Sequence, residues 1–265
     1  MDDAAPTSSH STHRTGDTVR TGIRGVGQTL VTIGLVVLLF VVYQLYVTNI
    51  TANAHQRDVE RAYAQAVTSH HDPLNGQDRA ELPAGRQVIL PAGKGFANLY
   101  IPRLGKDFAK TIVEGTTDSD LDKGPGHYAS TVIPGQIGDF AIAGHRVGKG
   151  EPFLNLDQLV PGDAVVVQTA SRWYVYRVLG DVKTGNLGVR DSEGVPGREI
   201  VSPAATSAIA PVPDHVGLRP TRALMTMTTC HPKYTAEKRM IVHAVLARGL
   251  KVVPGARPKE LGGSQ

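Results

Sequence analysis

The strongest pattern along the chain is an apolar run close to its start. Residues 30–47 read LVTIGLVVLLFVVYQLYV, and no Asp, Glu, Lys or Arg occurs between Arg24 and Arg57. At a helical rise of about 1.5 Å per residue this stretch matches the hydrocarbon thickness of a bilayer. β-Branched Val and Ile are poor helix formers in water, but lipid compels the backbone to satisfy its own hydrogen bonds. Tyr43 and Tyr46 stand near the far end, where aromatic rings favour the interface. A buried core helix is the competing reading, and the charge-free interval is too long for it. Residues 25–50 are therefore expected to be a transmembrane anchor. Arg14, Arg20 and Arg24 precede it, whereas Arg57 and Arg61 behind it are interleaved with Asp58 and Glu60. The positive-inside bias then predicts a single-pass protein of the cell membrane, with residues 1–24 as a cytoplasmic tail and the rest outside. Ala52-Asn53-Ala54 offers a signal-peptidase pattern, but the apolar run exceeds the usual h-region, so a retained anchor is preferred over a cleaved signal. The sequon Asn49-Ile50-Thr51 lies too close to the membrane to carry weight.

Beyond the anchor the pattern changes. Residues 55–68, HQRDVERAYAQAVT, combine helix formers with mixed charge and predict a short juxtamembrane helix. Residues 69–92 carry Pro73, Gly76, Pro83, Gly85 and Pro91, a composition suited to a linker lifting a domain off the membrane. Helix and linker together are assigned to 51–94. From 95 to 250 short apolar or alternating runs sit between turn signals, with strands expected at 97–101, 111–114, 139–144, 164–169, 173–179, 223–229 and 240–247. A short helix is expected at 153–159, where Phe153, Leu156 and Leu159 share a side. This spacing predicts a mainly β domain, a closed barrel or sandwich. Residues 181–220 are long, rich in Gly, Pro and Ala, and weakly patterned, as expected of a segment that covers a site or is partly disordered. Residues 251–265 read as a C-terminal tail.

Composition narrows the class. With 28 Lys+Arg against 24 Asp+Glu, a net charge of +4 gives no reason to expect nucleic-acid binding. The chain has one cysteine, Cys230, which excludes an intramolecular disulfide framework and all-cysteine zinc sites. In an exported domain such a thiol is buried and inert, paired with another chain, or a nucleophile.

The local sequence bears on that choice. In LMTMTTCHPKYTAEKRMIVHA (224–244) a β-forming run ends at Cys230 and a turn leads to Arg239, which could return beside it. FAIAGHR (140–146) is an apolar strand ending at His145, with Ala143 and Gly144 small enough to let another group approach. His231 adjoins Cys230, but neighbours on a strand face opposite ways, so it reads as supporting or structural. His215 and His243 read as structural or solvent-exposed. Asp118, Asp120 and Asp122 read as a solvated loop, and no metal site is expected.

These motifs resemble those of the sortases, cysteine transpeptidases of the Gram-positive envelope. TMTTC (226–230) is similar to their TLxTC signature, with Met227 in place of leucine, and GPGHY (124–128), AGHR (143–146) and TCHP (229–232) together resemble class E. The resemblance implies a sortase-type closed β-barrel of about eight strands. It also implies cleavage of an LAxTG or LPxTG-like sorting signal between Thr and Gly through a Cys230 thioester. Transfer to a lipid-linked peptidoglycan-precursor amine follows, with no cofactor. It further implies His145 as general acid and then base, and Arg239 as holder of carbonyl or oxyanion oxygens. Tyr128 is expected to read the sorting signal, its alternative being a turn aromatic packed on the barrel. Thr229 is expected either to contact substrate or to pack within the strand. Two other functions are weighed: a cell-wall cysteine hydrolase such as a murein peptidase, and a non-catalytic envelope-binding module.

Overall fold

A computed structural model describes residues 14–43, 48–79 and 82–265, which form two compact units divided after Val47. The first is a single helix, α1 (Arg14–Val42). Its portion from Arg20 to Val42 has a mean hydropathy of 2.3 and no burial against protein, and it is long and apolar enough to cross a membrane. Thr29 and Thr32 donate their hydroxyls one turn back to the carbonyls of Gly25 and Gln28, each at 2.9 Å, so neither needs water. The helix starts at Arg14, inside the stretch expected to be the cytoplasmic tail. Residues 1–13 and 44–47, Tyr46 among them, lie outside the described residues.

The second unit is built on nine strands: β1 (Gly95–Tyr100), β2 (Ala109–Glu114), β3 (Gly126–His127), β4 (Gly138–Ala143), β5 (Ala164–Gln168), β6 (Arg172–Val178), β7 (Arg198–Val201), β8 (Ala223–His231) and β9 (Lys238–Lys251). They hydrogen-bond in the order β6-β5-β1-β2-β3-β4-β8-β9-β7, and a further pairing of β6 with β9 closes the sheet into a barrel of all strands but β7. The length of β9 permits this. One edge of it pairs with β8, while the other pairs with β7 over 239–242 and with β6 over 244–251. The closed eight-strand barrel is the expected fold.

Alternation along the strands sorts residues between the interior and the outer wall. Met225 and Met227 of β8, Phe140 and Ile142 of β4, Val165 and Val167 of β5, and Tyr174 and Tyr176 of β6 enter the main core. Their neighbours face outward and are covered in turn. Trp173 and Val175 lie under Val252 and Leu261, and Leu224 lies under Val195 and Val212. The outward polar residues are covered as a linked set. Thr226 Oγ1 lies 2.9 Å from both Asp139 Oδ1 and His243 Nδ1, and His243 Nε2 reaches Glu199 of β7 at 3.3 Å. Burial pushes the Asp139 carboxyl well up from the usual carboxylate range.

Four segments differ from expectation. The expected linker is packed rather than free: Leu74, Val88 and Leu90 join the main core, and Asp78 accepts from Thr169 and Ser171 at 2.5 Å each. The preceding helix, α2 (Thr48–Thr68), is longer than expected and lies over β1 and β2 with Ala52 and Tyr63 buried. The expected tail is docked, with Glu260 paired to Arg177 and Arg248. At 153–159 a 3-10 turn, Leu156–Gln158, replaces the α-helix, although Phe153, Leu156 and Leu159 are all buried as anticipated. A segment this short between Pro152 and Pro161 closes too few helical bonds to offset nucleation. β3 and β7 were not anticipated, because runs so brief show no period.

Leu74→Ala is expected to lower the unfolding free energy by about 2–5 kcal/mol, since it empties a fully buried core position. Urea unfolding followed by near-ultraviolet circular dichroism measures this, and a free linker would give under about 0.5 kcal/mol.

Candidate active site

The site is assembled at one end of β8. On one edge β8 runs parallel to β4, with Ala143 opposite Thr228, and Gly144 N donates to Thr228 O at 3.0 Å. Continuing that register brings His145 beside Cys230. On the other edge β8 runs antiparallel to β9, and Cys230 stands directly opposite Arg239. Because the Thr228 carbonyl is turned to β4, Cys230, two residues on, has the same orientation. Cys230 and Arg239 are then a non-hydrogen-bonded pair, the kind whose side chains lie closest. Cys230 and Arg239 thus face each other across β8 and β9, and His145 follows two residues after the last β4 residue paired with β8.

Cys230 is a half-buried free thiol. Arg239 donates through Nη1 to the carbonyls of Ala236 and Lys238 at 2.9 and 3.0 Å, which steadies the turn joining β8 to β9. It also lines a cleft of about 100 Å³ with Tyr128, Thr228, Ser202, Thr206 and Ile209. The 181–220 segment, expected to cover a site, therefore supplies one wall through the end of β7 and the 3-10 turn Thr206–Ile209. Tyr128 donates to or accepts from Thr228 Oγ1 at 2.9 Å. Its backbone is anchored from below, where Thr131 Oγ1 donates to Tyr128 O at 2.8 Å. Thr229 takes a different position: it is buried and donates to Gly144 O at 2.8 Å. Its hydroxyl is committed to the β4–β8 joint, and Thr228 presents the hydroxyl that lines the cleft.

His145 is half-buried. Its Nε2 lies 3.7 Å from Asp122 Oδ1, an ion-pair distance too long for a hydrogen bond. Lys149 Nζ meets the same carboxylate at 2.9 Å. Burial lowers the imidazole's proton affinity most, Lys149 lowers it further, and Asp122 and Asp118 act in the opposite direction. Of the three aspartates expected as a solvated loop, Asp118 and Asp120 lie in a short helix, α3 (Asp118–Leu121), opened by a capping box between Thr117 and Asp120, and Asp122 ends it, near His145. Gly144 serves Phe153, whose ring would lie 2.5 Å from a Cβ there, rather than an approach to His145. Among the described residues no group of three His, Cys, Asp or Glu is arranged to hold a metal.

Asp122 and Arg146 are the site residues that sequence reasoning passed over. Asp122 carried only an alternating-aspartate signal. Arg146 lay inside a quoted motif, yet it is only 3% exposed, which no sequence pattern reports for an arginine.

The Sortase domain family model matches residues 99–247, more than half of the chain. The chain belongs to the sortase family. It is 34% identical to sortase SrtE1 of Streptomyces coelicolor over 83% of its own length and 55% of that protein's, so it spans about half of that relative. With sortase SrtE2 of the same organism it shares 30% identity over 97% of its own length and 95% of the relative's. Among solved structures, the SrtF sortase of Corynebacterium diphtheriae superposes with a TM-score of 0.60 at 40% identity, over 69% of this chain and all of the other. Sortases are cysteine transpeptidases, and this chain's relatives include class E members.

The electrostatics predict how this sortase's histidine titrates. Lys149→Met removes a cation and frees Asp122, so the His145 pKa should rise. Asp122→Asn removes the favourable carboxylate, so it should fall. Proton NMR titration of the His145 ring reads both, and an unchanged midpoint in the two variants would contradict this account.

Proposed function

We propose that this sortase cleaves an LAxTG or LPxTG-like sorting signal between Thr and Gly and transfers the exported protein to a peptidoglycan-precursor amine. The observation that supports the reading is the register of β8, in which Cys230 stands opposite Arg239 and two residues beyond Thr228, both of those neighbours lining the cleft. The Cys230 thiolate attacks the threonine carbonyl, and collapse of the tetrahedral species breaks the Thr–Gly bond. The departing glycine amine takes a proton from the His145 imidazolium and leaves a thioester on Cys230. The incoming amine attacks that thioester, returns a proton to His145 and releases the thiolate. Arg239 cannot lose its proton, and its Nε and Nη2 have no protein partner among the described residues, so it suits the developing oxyanion. The lowered proton affinity of His145 confines the acid form to pH values below the ordinary histidine midpoint, so the step that needs imidazolium weakens as pH rises.

Tyr128 and Thr228, joined by their hydroxyls, form the cleft wall best suited to the small second residue of the signal. The apolar helix supports a single-pass anchor, with the arginines before it cytoplasmic and the barrel outside. Anchoring would hold enzyme, substrate tail and lipid-linked acceptor in one plane and raise their effective concentrations.

Cys230→Ala should abolish cleavage of a quenched LAxTG peptide without unfolding the barrel, and turnover by that variant would sink the assignment. With an amine acceptor present, mass spectrometry should find the transfer product, whereas hydrolysis of a muropeptide alone would indicate a cell-wall hydrolase. Comparing LAxTG with LPxTG fixes the second position.

A further inference from the structure

The ladder between β4 and β8 stops short of the residues that matter. Its last paired positions are Ala143 and Thr228, and its last backbone bond runs from Gly144 N to Thr228 O. Cys230 and His145 lie past that end, where strands ordinarily splay. Two side chains carry the connection onward. Thr229 Oγ1 donates to Gly144 O at 2.8 Å, and Arg146 Nη1 donates to Cys230 O at 3.2 Å. The Cys230 carbonyl faces β4, so the guanidinium occupies the place a backbone N–H would take if the ladder ran two residues further.

Arg146 is held rigidly enough for this task. Its Nη1 also donates to His231 Nδ1 at 3.0 Å, and because arginine has no acceptor, that nitrogen of His231 carries a lone pair. Its Nη2 pairs with Asp157 Oδ1 at 3.2 Å, which supplies the counter-charge that so buried a cation requires. Asp157 is itself tied down. Lys233 approaches its carboxylate at 3.7 Å, and Arg198 of β7 donates to its carbonyl at 3.0 Å. One planar group thus links the strand bearing Cys230, the turn bearing His145 and the 3-10 turn that β7 also grips.

We propose that Arg146 is a positioning residue for the transfer reaction: by bridging Cys230 O and Asp157 it locks the end of β8 against the His145 turn and so sets the spacing of thiol and imidazole. Its guanidinium is engaged with the Cys230 carbonyl, His231 and Asp157, so it acts through the backbone and not on the reacting atoms. A lysine can reach one of these partners but cannot present two parallel donors.

The inference rests on the sortase reading above, and one arm of its test needs no sorting peptide. In the full chain in detergent, Arg146→Met is expected to lower kcat on a quenched LAxTG peptide by about 10²-fold with KM little changed, as misplacement of reacting groups does. Arg146→Lys should recover part of that loss. Asp157→Asn, which keeps the arginine but loosens it, should give a smaller fall, and it serves if Arg146→Met does not fold. The independent arm is the pH profile of Cys230 alkylation by iodoacetamide. The step in that profile removed by His145→Ala should also vanish in Arg146→Met. Failure of wild type to cleave the peptide would count against the proposed signal, leaving the alkylation arm to decide on Arg146. The inference is overturned if kcat in folded variants stays within about twofold of wild type. A lysine variant no better than methionine, or an alkylation profile that lacks the His145 step in wild type or keeps it in Arg146→Met, would equally overturn it.

Discussion

The hydrogen-bonding of β8 on both edges is the constraint on which the rest depends. A strand paired in parallel with β4 and antiparallel with β9 has no freedom of register. A slip of one residue would carry Met225 and Met227 out of the core and turn Cys230 inward. The same alternation that buries the methionines therefore sets the thiol on the outer face, opposite Arg239 and beside the turn that bears His145. Core packing and site geometry are one requirement here, since both follow from the parity of a single strand.

That parity carries a cost on the outer face, where Thr226 and its neighbours Asp139 and His243 are buried polar groups. Glu199 on β7 meets His243 Nε2, so the short strand supplies a partner to a ring nitrogen that would otherwise be buried without one. β7 then leads into the 3-10 turn that walls the cleft. The segment that covers the polar groups is thus the segment that shapes the cleft, which explains how a Gly/Pro-rich stretch with little pattern of its own is held in place. Around His145 the balance is electrostatic. Burial and Lys149 oppose protonation more than two aspartates favour it, so the net effect lowers the proton affinity of the imidazole.

Much of this was legible in the chain. Seven strand segments and the apolar helix were readable because hydrophobic alternation and long apolar runs are local signals. The return of Arg239 beside Cys230 was readable from the turn between them, and the role expected of His145 came from the motif resemblance. Other features were hidden for a physical reason. Leu74, Val88 and Leu90 sit among prolines and glycines without period, so nothing local announced that they complete the barrel core. Asp122 reaches His145 only because α3 turns it there, and Thr228 rather than Thr229 lines the cleft because the barrel fixes which face is inside.

By itself the sequence determined the class of the protein: an apolar span, a mainly β domain and a lone cysteine in a strand-end motif that resembles the sortase signature. Those properties depend on residue type and near-neighbour spacing. Only the tertiary structure decided which polar groups are brought together, namely Arg146 on the Cys230 carbonyl, Asp122 beside His145 and Glu199 on His243. Such pairings join residues from separate strands and turns, and their geometry and dielectric surroundings exist only once the barrel has closed.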